Sequence, residues 1–228
     1  MKVLPLLVGA LLLTGCAADA APAAAPEDVA AFHGAEPAVD TRRPSFVLED
    51  TAGRPYDFGA ETSGRPTLLY FGFANCADEC PTAMANIAAA LRTTPPALRE
   101  QTRVVFVTTD PARDTGPVVR RFLDQWSTDY VGLVGTPAEV AAAQESIGLT
   151  AAARSEGPQT LPGKPDEHVH ASGTAPHEHV GPLGYGVGHA DVVFAFDTDD
   201  RLPVLYDGAV RPSDIAADLP LLAPGDTS

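Results

Sequence analysis

Cysteine and lysine are both scarce in this chain, with three of the former and two of the latter among 228 residues. The shortage of lysine leaves thirteen arginines to face 30 acidic residues, and the net charge is −15. Such a surface repels polyanions and no Lys/Arg cluster offsets it, so nucleic acid is not an expected partner. Apolar runs long enough to span a bilayer, roughly 20 residues, are missing as well. The N-terminal run from Val3 to Leu13 falls well short of that. What is present, 45% hydrophobic and 20% charged residues, fits one globular domain with a targeting segment and flexible additions.

Lys2, the apolar run and Leu13-Thr14-Gly15-Cys16 have the layout of an export signal. The last four residues resemble a bacterial lipobox, which implies cleavage before Cys16, acylation of Cys16 and attachment to the extracytoplasmic face of the cell membrane. An ordinary secretory signal with an incidental cysteine is the alternative. Residues 1–15 are therefore expected to be a signal peptide. Residues 16–44, rich in Ala, Pro and Glu and without apolar periodicity, read as a flexible tether, with His33 an isolated histidine in it. Residues 45–222 are the expected domain and 223–228 a tail.

With Cys16 assigned to the anchor, Cys76 and Cys80 remain. A bridge around so short a loop restrains little of the unfolded chain, which makes a redox or metal role the better explanation. Thr67 to Phe73 is a continuous apolar run, as in a strand covered on both faces. Pro81 suits the first turn of a helix, and Met84, Ile87, Ala88 and Leu91 recur at helical spacing, so Met84 reads as core rather than ligand. The pair thus falls at a strand-to-helix junction, where the helix dipole is expected to lower thiol pKa.

Downstream, Arg103 to Thr109 reads as a second buried strand and Asp110 to Thr115 as a turn into a helix from Pro117 to about Trp126. Val131 to Val134 is a short strand, and Thr136 caps a helix from Pro137 towards Ile147. Asp191 to Asp197 and Leu202 to Tyr206 form a hairpin about Thr198-Asp199-Asp200-Arg201, and Ser213 opens a last helix. This α/β order is satisfied by a mixed sheet with helices on both faces, of which the thioredoxin-like architecture is the commonest small version.

Phe71-Gly72-Phe73-Ala74-Asn75-Cys76-Ala77-Asp78-Glu79-Cys80-Pro81 resembles the Sco/SenC motif, a phenylalanine-rich strand leading into C-x-x-x-C-P. Val107 to Thr115 resembles the family's second signature, a strand ending in a D-P-x-x-D-T turn. His189, in Gly188-His189-Ala190-Asp191, stands where the family has a histidine before its penultimate strand. The resemblance covers residues 44 to 220. It implies a copper site of Cys76, Cys80 and His189, suited to copper(I) and, with added oxygen ligands, to copper(II). His189 as a structural histidine is the other reading, and Gly188 departs from the acidic residue the family often carries there. Asp78 matches an acidic family position, which implies a part in partner docking or in the charge balance of the thiolates; a solvated turn aspartate is the other reading.

Thr150 to Gly188 fits no compact element and resembles an enlarged form of the loop carrying the family's histidine. Its pairs His168 and His170, and His177 and His179, are candidate auxiliary metal ligands in a mobile segment, or belong to an inert insertion. The resemblance implies a metallochaperone that delivers copper to the binuclear copper site of cytochrome c oxidase subunit II or to another extracytoplasmic cuproprotein. The alternative is a thiol–disulfide reductase working through the Cys76–Cys80 pair, which keeps the oxidase cysteines reduced. Peroxide reduction is disfavoured, because no T-x-x-C motif is present.

Overall fold

The computed structural model describes residues 32–152, 154–156, 177–180 and 185–223. Ten strands and six helices follow one another along them: β1 (Val47–Asp50), β2 (Pro55–Asp57), α1 (Phe58–Thr62), β3 (Thr67–Gly72), α2 (Glu79–Thr93), α3 (Pro96–Gln101), β4 (Arg103–Thr108), α4 (Gly116–Leu123), β5 (Val131–Val134), α5 (Pro137–Glu145), β6 (Arg154–Glu156), β7 (His177–Val180), β8 (Tyr185–His189), β9 (Val192–Phe196), β10 (Val204–Asp207) and α6 (Pro212–Leu222). Seven strands form the main sheet in the order β10-β9-β3-β4-β5-β1-β2. β3, β4 and β5 run parallel, and β9, β10, β1 and β2 extend the sheet antiparallel on either side. This is the expected mixed sheet.

Every residue of β3 is buried, because alternate side chains feed two separate cores. Leu68 and Tyr70 join Met84 and Ile87 of α2, Phe122 of α4 and Leu219 of α6 on one face. Leu69 and Phe71 join Phe58 of α1 and Val140 of α5 on the other. Helices on both faces explain why the β3 and β4 runs carry no polar alternation. Met84 is fully buried in the first core, as its place on the apolar stripe of α2 predicts. Thr136 and Glu139 form a reciprocal capping box at the start of α5.

Three features differ from the sequence expectations. Residues 32–44, read from composition as tether, lie along the domain. Ala35 exchanges two 2.8 Å backbone hydrogen bonds with Leu205 on the outer strand β10. The Arg43 guanidinium donates to Asp200, Thr62 and the carbonyls of Arg65 and Asp197, and stacks 4.9 Å from the Phe196 ring. His33 is not isolated: its Nδ1 lies 2.6 Å from Asp218 Oδ1, its backbone N–H donates to Asp218 Oδ2, and Tyr206 donates to the same oxygen at 2.8 Å. Polar contacts to residues distant in the chain, not apolar periodicity, hold this segment, so composition did not reveal it.

The 150–188 segment is the second difference. β6, β8 and β7 form a three-stranded antiparallel sheet within it, so it is not wholly a structureless loop. The glycines and prolines around these short strands mask their pattern. The third difference is helix length. α4 ends at Leu123, and Trp126 instead packs edge-on against Phe122, ring centroids 4.9 Å apart. The 1–15 signal, Cys16, His168, His170 and residues 224–228 lie outside the described residues.

Candidate metal centre

β3 ends at Gly72, and the chain then turns through Phe73 to Asp78 into α2, carrying Cys76 and Cys80. The two sulfurs are thiols, not a disulfide, and both are buried. α2 begins at Glu79, so Pro81 falls in its first turn as expected, and Cys80 lies in that turn as well. Asp78 is the N-cap residue, yet its exposed carboxylate caps no helix amide. Cys76 does so instead: the Cys80 N–H donates to Cys76 Sγ at 3.4 Å, which holds the first sulfur against the helix entrance.

The expected lowering of thiol pKa does not hold at Cys80. Burial pushes this thiol well up, and the Cys76 sulfur beside it adds to the shift. A hydrogen bond with the Phe73 backbone and the contact with the Tyr70 hydroxyl oppose it without prevailing. Desolvation beats the helix dipole here because Cys80 packs under β3 and has no access to water. A metal ion reverses that balance, since ligation deprotonates the thiol and neutralises the thiolate at once.

The floor of the site is shaped by Gly72. A Cβ there would stand 2.8 Å from Cys80 Sγ and 2.6 Å from a Tyr70 ring carbon. Only glycine lets the sulfur approach the strand so closely. The Tyr70 hydroxyl, in contact with Cys80, lies 2.7 Å from Asp191 Oδ1 as its donor. Burial drives the phenol pKa well above its ordinary value, and the neighbouring Cys80 and Asp191 add to it.

The Asp110 to Thr115 turn supports the cysteine loop. Asp114, buried, accepts from the Ala74 N–H at 2.8 Å and from the Thr108 hydroxyl at 2.7 Å through one oxygen. Burial raises its pKa, with those two hydrogen bonds acting in the opposite sense. The Thr109 N–H donates to the Gly72 carbonyl at 2.7 Å. Arg113 bonds Asp110 and lies 5.8 Å from the Phe73 ring centroid. The two motifs found in the sequence are thus one structural unit, a relation their spacing alone did not reveal.

His189 ends β8, and Asp191 follows just before β9, which pairs with β3 through Tyr70 and Val193. The backbone of His189 is thereby tied, two residues away, to the Asp191–Tyr70–Cys80 contacts. His177 and His179 lie on β7, with His177 paired to His189. Sequence reasoning missed Tyr70, Asp114 and Asp191 as residues of the site. The only signal for Tyr70 was a hydroxyl inside a run otherwise without polar side chains after Thr67.

The SCO1/SenC family model matches residues 35–223. Protein SenC of Rhodobacter capsulatus is 38% identical over 100 residues, 44% of this chain and 44% of that protein. The chain spans about half or less of the length of the curated relatives it matches. The apo Sco1 solution structure from Thermus thermophilus superposes with a TM-score of 0.65 at 26% identity, covering 86% of this chain and 99% of that one. The Bradyrhizobium japonicum ScoI structure with copper bound gives 0.60 at 24% identity, covering 80% and 99%, and shows the likeness of fold.

Proposed function

Since the chain belongs to the SCO1/SenC family, which takes part in copper handling and cytochrome c oxidase assembly, we propose that it is a copper metallochaperone with Cys76, Cys80 and His189 as the metal ligands. The recipient in this reading is the binuclear copper site of oxidase subunit II, outside the cell membrane, with Cys16 as the lipid anchor. The observation that carries the proposal is the buried thiol pair, with Cys76 Sγ 3.4 Å from the Cys80 amide and Cys80 against the Tyr70 hydroxyl that reaches Asp191. Two thiolates and one imidazole suit copper(I), a soft ion content with three ligands. Burial limits the access of water and oxidants to the sulfurs, completely at Cys80 and less so at Cys76, and a histidine remote in sequence can be withdrawn to release the cargo without unfolding the domain.

Copper(I) binding in competition with a chromophoric chelator tests this for the wild type, Cys76→Ala and His189→Ala. One tight equivalent in the wild type, lost or strongly weakened in both variants, supports delivery. Tight binding that survives loss of Cys76 refutes the ligand set. The closeness of Cys76 Sγ to the start of the Cys80 backbone also favours a second reading, a dithiol that reduces the oxidase cysteines as its own pair becomes a disulfide. Oxidase assembly that persists in His189→Ala but fails in Cys76→Ala selects that reading.

A further inference from the structure

The histidines of the 150–188 segment stand outside that function, and the backbone gives two of them a definite position. β7 and β8 pair antiparallel with His177 opposite His189 and His179 opposite Val187. Directly opposed residues of an antiparallel pair share a face, as do residues i and i+2 of one strand. His177, His179 and His189 therefore occupy one face of the β7–β8 ribbon, while Glu178 and its partner Gly188 belong to the other. Opposed positions lie about 5 Å apart and alternate positions about 7 Å.

We infer that the β7–β8 ribbon is a second metal site, built from His177 and His179 together with His189, for a divalent transition-metal ion of borderline softness. An all-nitrogen set favours copper(II) foremost, by the order of affinities along the first-row series, whereas the thiolate pair favours copper(I). The inference rests on the proposed function only in that His189 belongs to both ligand sets. The register of His177 with His189 makes the two sites neighbours that compete for one imidazole. Copper(I) held by the thiolates withdraws His189 from the ribbon, and its departure returns it. The affinity of the ribbon for its ion thus depends on the occupancy of the thiol site.

Copper(II) titration of the full chain carrying Cys76→Ser and Cys80→Ser, followed by electron paramagnetic resonance, isolates the ribbon from the thiols. The expected result is one bound equivalent with a multi-nitrogen hyperfine pattern. It is lost on adding His177→Ala and His179→Ala and kept on adding His168→Ala and His170→Ala instead. Persistence without His177 and His179, or equal loss without His168 and His170, overturns the site. Zinc titration with both cysteines intact gives a reading that does not depend on how the serine variant folds. There His177→Ala with His179→Ala weakens or removes the zinc that the thiol pair does not hold and leaves tight copper(I) binding in place, and zinc uptake unchanged in both stoichiometry and affinity again overturns the ribbon site. Absent copper(I) binding in the wild type instead refutes the proposed function and leaves the copper(II) titration readable.

Discussion

Replacing Asp114 with alanine removes the clamp between the two signature segments. One carboxylate oxygen accepts from the Ala74 N–H and from the Thr108 hydroxyl. Leaving two such donors without a partner costs about 1–3 kcal/mol each when both are buried. Ala74 is only half-buried and water reaches it in part, while the Thr108 oxygen keeps its bond from the Asp110 N–H. The loss expected for Asp114→Ala is therefore about 2–4 kcal/mol, below the 5–15 kcal/mol of a typical domain. The protein stays folded with a lower urea midpoint and an unchanged m value. Because the freed Ala74 stands two residues before Cys76, copper(I) affinity falls as well. Asp114→Asn keeps an acceptor oxygen and recovers most of both losses. An alanine variant within about 0.5 kcal/mol of wild type, the range of an ordinary surface substitution, refutes the clamp.

Gly72→Ala introduces a Cβ 2.6–2.8 Å from Tyr70 and Cys80 Sγ; a loss of about 1–3 kcal/mol by overpacking and weakened copper(I) binding are expected in thermal and chelator assays. Cys76, slightly exposed, is alkylated before Cys80, whose burial and raised pKa slow thiolate formation; mass spectrometry at intermediate times reads the order, and Cys80 reacting first contradicts it. His33 has its pKa raised above 6.5, chiefly by the hydrogen bond and charge of Asp218. Its contact therefore stabilises the docked segment fully below that pH and is lost as pH rises through the folded-state value. Asp214 reinforces the shift and Arg211 opposes it, while Tyr206 shares Asp218 as acceptor. Hydrogen exchange of residues 32–44 is accordingly faster above the transition than below it once intrinsic rates are divided out, and His33→Ala abolishes the difference.

The central strands were legible because burial on both faces writes itself as an unbroken apolar run, as in Leu68 to Phe71 and Val104 to Val107. β1 left no such trace: only Leu48 of Val47–Asp50 is buried, and Val47 is exposed. The cysteine pair was legible from spacing and neighbours, but its electrostatics were not. Cys80 lies in the first turn of α2, at the helix entrance the spacing implied, but that turn packs against β3, and burial of this kind leaves no mark in the local pattern. His33 meets Asp218 across 185 positions of chain, a distance over which local pattern carries no information. Tyr70 reads as one more large side chain of the strand until β9 brings Asp191 against its hydroxyl.

The segment that crosses β10 has a consequence for self-association. β10 is the last strand of its side of the sheet, and an uncovered outer strand is a template on which another chain can pair. The reciprocal bonds between Ala35 and Leu205 occupy that strand midway along its length. A Cβ on Gly34 would meet the Leu205 carbonyl, so the covering strip can lie this close only through glycine. Residues 32–44 thus act as an edge guard, and a chain begun at residue 45 would present β10 bare to a second copy of itself.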